Sequence, residues 1–68
     1  MIELTTKAAI EHVLSSGASK YSVAKLLALS PIMVNNYLKG TKMSHATASK
    51  MEVLFGIKIT DSVQRTVS

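Results

Sequence analysis

The chain has no cysteine and no tryptophan. Disulfide staples and thiolate metal sites are therefore excluded. Its two histidines, His12 and His45, lie far apart with no third ligand nearby, so no metal site is expected. Only Tyr21, Tyr37 and Phe55 are aromatic, so the core is expected to be built from Leu, Ile, Val, Met and Ala. No apolar run reaches the roughly 20 residues a membrane span needs. The N-terminus does not combine a basic start, an apolar block and a small-residue cleavage site, so no secretory signal is expected. The expectation is a cytoplasmic domain with no membrane association. A 68-residue domain buries only about 60% of the surface its unfolded chain exposes. That leaves little room for a deep catalytic pocket.

Acidic residues are scarce too. Glu3, Glu11, Glu52 and Asp61 are the only four, and they sit toward the ends. No carboxylate pair, Ser-His-Asp arrangement or glycine-rich phosphate loop can be assembled from this sequence. No catalytic residue, cofactor or small-molecule substrate is expected. Between His12 and Met51 there is no acid, while Lys20, Lys25, Lys39, Lys42 and Lys50 all fall there. A solvated surface normally mixes both signs, so an unneutralised stretch within a chain of net charge +4 suggests an anionic partner.

What is present is apolar residues at helical spacing, 47% of the chain, which argues against disorder. No repeat or linker divides the chain, so a single domain over 1–68 is expected. A first helix is predicted from about Thr6 to Ser15, capped by Thr5 or Thr6, with Ala9, Ile10, Val13 and Leu14 as its stripe and Gly17 as a stop. A second begins after Ser19 and ends near Ala28-Leu29, with Val23, Ala24 and Leu27 on one face. The third is the best specified. Ser30 is a natural cap, Pro31 sits where its missing N–H costs nothing, and Gly40 follows Lys39. A fourth starts after Ser44 and runs to about Phe55, with Ala48, Met51, Leu54 and Phe55 as its buried stripe and Gly56 as its end. Ile57–Thr60 alternates like a strand, and Ile2 and Leu4 alternate as well, so the two ends can pair. Equally, Thr60 can cap a last short helix over Asp61–Arg65. The fold class expected is all-α, a small bundle of four to five helices with a short C-terminal strand or helix.

At about 100° per residue, Met33, Val34, Tyr37 and Leu38 share one side of the third helix. Pro31, Ile32, Asn35, Asn36 and Lys39 share the other. The first side is apolar, and the second is polar and cationic apart from Pro31 and Ile32. Two short helices joined by Ala28-Leu29-Ser30 must cross steeply, and Ala24 facing Val34 supplies the small contact residue such a crossing needs.

The stretch SKYSVAKLLALSPIMVNNYLKG, Ser19 to Gly40, resembles the helix-turn-helix of phage-type repressors, the Cro and cI group and their bacterial relatives. The likeness rests on Ser19, Ala24, Leu27, Leu29, Ser30, Val34, Tyr37 and Gly40. It extends more loosely through MSHATASKMEVLFGIKITD, to cover about two thirds of the chain. The family usually has glycine at the first turn position, where φ is positive; here it is Ala28, at about 1 kcal/mol.

The resemblance implies a transcriptional regulator of bacterial or phage-infected cells, a Cro-like repressor whose third helix enters the DNA major groove. Asn36, and then Asn35, would bond adenine N6 and N7. Ile32 would touch a thymine methyl, Pro31 would pack beside it, and Lys39 would meet phosphate or guanine. Phosphates would be met by Ser19, Lys20 and Ser22, and by Thr41, Lys42, Ser44 and His45. One such helix covers few base pairs, so a homodimer on a palindromic operator is expected. Ile57, Ile59, Val63 and Val67 offer an apolar dimer surface. The rival reading is a protein-interaction module, such as an antitoxin or an inhibitor of host machinery. RNA is less favoured, because only Tyr21 offers an exposed ring for stacking.

Overall fold

Capping residues divide the chain where the sequence places them. The structure, a computed structural model describing residues 1–64, runs β1 (Ile2–Leu4), α1 (Thr6–Ser15), α2 (Lys20–Leu26), α3 (Pro31–Lys39), α4 (His45–Phe55) and β2 (Ile57–Ile59). Thr5, Ser19 and Ser44 each accept a hydrogen bond from a backbone N–H in the first turn they precede, which satisfies one otherwise orphaned donor per helix. Ser30 stands in the same position before α3 but makes no side-chain cap bond, and there the preset φ of Pro31 begins the helix. Gly40 and Gly56 end α3 and α4 in the left-handed region, which glycine enters without a Cβ clash.

The turn between α2 and α3 starts earlier than expected. Helix α2 ends at Leu26, with Leu27 as its C-terminal cap. Ala28 then takes φ 58°, the one positive φ at a non-glycine residue among those described. Leu29 N–H donates to the Ala24 carbonyl at 2.8 Å, closing the turn despite that strain. Ala28 is exposed, so deleting its methyl sacrifices no packing. Ala28→Gly is therefore expected to stabilise the fold by about 0.5–1 kcal/mol, after allowing for the freer unfolded chain. Thermal unfolding checks this: a raised midpoint is expected, and a lowered one would deny the strain.

The fold departs from all-α in one respect. Strands β1 and β2 pair in parallel, with Ile2 opposite Ile57, Glu3 opposite Lys58 and Leu4 opposite Ile59. Ile57–Ile59 thus take the strand alternative, with Thr60 just beyond it. The helix considered over Asp61–Arg65 does not form across Asp61–Gln64; Val63 instead bridges to Ser44, and Arg65 lies outside the described residues. Four helices, without a fifth, are present among the described residues.

Helix α3 packs against α1 and α2, and α4 packs against β2. The core joins Ala9, Ile10 and Val13 to Val23, Ala24 and Leu27, then to Val34, Tyr37, Met43 and Met51, and is closed by Ile57 and Ile59. Two expectations are corrected here. Ile57 and Ile59 are buried, since the pleat turns both inward and leaves Lys58 outside, so they cannot form a dimer surface. Val63 remains exposed, and Val67 lies outside the described residues. On α4, Leu54 is 47% exposed while Thr47 is buried. The inward arc is Thr47, Met51 and the half-buried Phe55, at i, i+4 and i+8, and Leu54 lies to one side of it.

Candidate nucleic-acid interface

With α1 and α2 behind it, α3 keeps Val34 and Tyr37 buried and turns its opposite arc outward. On that arc Pro31 and Lys39 are exposed and Ile32 is 68% exposed. An aliphatic side chain this open is not stapled to a neighbouring helix. Asn35 and Asn36 are only half-buried rather than fully outward. Asn36 Nδ2 donates to Met33 Sδ at 3.8 Å. Thioether sulfur is a weak acceptor, so the amide can turn to a better partner at little cost.

The first turn of α2 lies beside Pro31. Tyr21, Ala24, Lys25, Leu29 and Pro31 line one shallow cleft, and Tyr21 is exposed there. Ser19 Oγ accepts from Ser22 N–H at 3.1 Å and donates to Ser22 Oγ at 3.0 Å. The Ser19 hydroxyl is thereby committed, while Ser22 keeps its own proton to offer outward. Lys20 is exposed.

After α3 the chain turns sharply. Gly40 N–H donates to the Tyr37 carbonyl and Thr41 N–H to the Asn36 carbonyl. Thr41 and Lys42 are exposed on this turn. Ser44 is half-buried, accepting from Thr47 N–H at 3.4 Å and donating to Thr47 Oγ1 at 3.2 Å. Its hydroxyl serves the cap rather than an outside ligand. His45 is exposed, its Nδ1 lying 2.8 Å from Ser62 Oγ.

All five lysines of the acid-free stretch are exposed. Lys50 differs from the rest: its Nζ donates to the Leu27 carbonyl at 3.4 Å, closing the C-terminal end of α2. Among the acids, Asp61 is drawn into the fold by hydrogen bonds to Thr6. The sequence offered no hint of that pairing, which spans 55 positions. It marked Tyr21 as an exposed ring but not its place beside Pro31, which depends on how α2 meets α3. A second surface is apolar. Leu26, Val53 and Leu54 line a groove with Ser49 and Lys50, between the end of α2 and the exposed side of α4.

Among the described residues, no three His, Cys, Asp or Glu side chains are grouped to hold a metal ion, and no helix is long and apolar enough to cross a membrane. No protein-family model, curated protein or solved structure matches the chain.

Proposed function

We propose that this chain is a sequence-specific double-stranded-DNA-binding regulator, a Cro-like repressor in which α2 and α3 act as a helix-turn-helix and α3 reads the major groove. The observation that carries the reading is the outer arc of α3. It combines an exposed Pro31, Ile32 and Lys39 with the half-buried Asn35 and Asn36, inside a stretch that has lysines and no acids. Left-handed φ at Ala28 supports the likeness to phage-type repressors, whose turn takes glycine at this place.

In this reading Asn36 and Asn35 bond adenine edges, and Ile32 and Pro31 meet thymine methyls. Lys39 reaches phosphate or guanine at the helix end. Lys20 and the free Ser22 proton meet phosphate on one flank; Thr41, Lys42 and His45 meet it on the other. Ser19 and Ser44 act by shaping the two helix starts they cap. Two copies bind a palindromic site about one helical turn apart.

The rival reading, a protein-interaction module, is favoured by the apolar groove of Leu26, Val53 and Leu54. One experiment separates the two. Duplexes selected from a random pool are titrated beside random duplexes at 50 and 200 mM salt. Three lysines in each of two copies release enough counterions to weaken binding on the order of a thousandfold across that range. A protein-binding module shows no duplex affinity at either salt. Within the same assay, Lys42→Ala is expected to weaken selected and random duplexes alike and to flatten the salt slope by about one per bound site. Loss confined to the selected duplex would make Lys42 a base reader.

A further inference from the structure

We infer that Thr6 and Asp61 are positioning residues for the segment carrying Lys42 and His45, an assignment that rests on the DNA-binding reading above. Thr6 is 1% exposed and every polar group on it is used. Its backbone N–H and its hydroxyl both donate to Asp61 Oδ1 at 2.7 Å. Its Oγ1 in turn accepts Met43 N–H at 3.0 Å. The same short segment then continues across the start of α4. Val63 N–H donates to the Met43 carbonyl at 2.9 Å, and His45 N–H donates to the Val63 carbonyl at 3.1 Å. Ser62 Oγ lies 2.8 Å from His45 Nδ1.

Five of these six hydrogen bonds fasten residues 61–63 to the first turn of α1 on one side and to residues 43–45 on the other, and the sixth ties Met43 directly to Thr6. Both backbone groups of Met43 are held, and Met43 follows Lys42 directly. His45 is held by its main chain and its ring. Residues 41–43 have no helix or strand of their own, so their geometry comes from this network. Hydrogen bonds to a carboxylate are shorter and stronger than neutral ones, which places Asp61 at its centre. A charge that must meet a phosphate at a set distance gains from a backbone that does not have to be ordered on binding.

The test uses the full chain in the duplex titration, with thermal unfolding alongside. Asp61→Ala removes both Thr6 bonds. Thr6→Val removes the acceptor for Met43 but leaves Asp61 to accept the residue 6 backbone N–H, so the start of α1 stays capped. Each is expected to weaken selected and random duplexes by about tenfold and to flatten the salt slope by about one per site. Asp61→Asn keeps an oxygen at Oδ1 for both bonds and is expected to retain the wild-type slope. A folded Thr6→Val with wild-type affinity and slope overturns the assignment, whatever its melting temperature, because a purely structural tie changes stability without changing the number of phosphates met. So does an Asp61→Asn slope as flat as that of Asp61→Ala. Absence of duplex affinity in the wild type overturns the DNA reading itself and this assignment with it.

Discussion

Tyr37→Ala is expected to remove about 3–5 kcal/mol of folding free energy. Tyr37 is the largest side chain of the buried core and is 2% exposed. It lies on α3, which packs against both α1 and α2, so the vacated space opens where three helices converge. A chain of 68 residues at roughly 0.05–0.15 kcal/mol per residue is stable by only about 3–10 kcal/mol. The truncation thus consumes a third or more of that margin. Urea unfolding followed by circular dichroism measures the loss. Tyr37→Phe keeps the ring and is expected to stay within about 1 kcal/mol of wild type. If Tyr37→Ala unfolds at the wild-type midpoint, α3 is not seated as described.

Asn36→Ala is expected to weaken the selected duplex by about 1–3 kcal/mol, or roughly 5–150-fold at 1.4 kcal/mol per decade. Random duplexes should bind the variant almost as they bind wild type. The asymmetry follows from chemistry. An amide offers a donor and an acceptor at the spacing of adenine N7 and N6, and random sequence rarely presents that edge at the right position. In the free protein the amide gives up only its contact with Met33 Sδ. Equal weakening on all duplexes would place Asn36 against the backbone and shift the reading face of α3.

The helices were largely legible because their boundaries are written locally. Ser30, Pro31 and Gly40 bracket α3, and the structure places it at Pro31–Lys39 as expected. Thr5, Ser19 and Ser44 likewise mark their helices. What failed depended on neighbours. Leu54 looked like core by residue type, but the arc that faces β2 passes through Thr47 and Met51. Ile57 and Ile59 looked surplus to so small a core until β2 turned them inward. The exposure of Pro31, Ile32 and Lys39 on the outer arc of α3 was legible from arc arithmetic alone, although the half-burial of Asn35 and Asn36 was not. The Thr6–Asp61 contact was invisible, since nothing in either residue's local sequence points to a partner 55 positions away.

The strand pair has a kinetic consequence. Ile2 meets Ile57 across nearly the whole described length, and closing a loop of that span costs about 3–4 kcal/mol of chain entropy. Contacts within and between successive helices close far shorter loops. The ladder is therefore expected to form later than the contacts between successive helices.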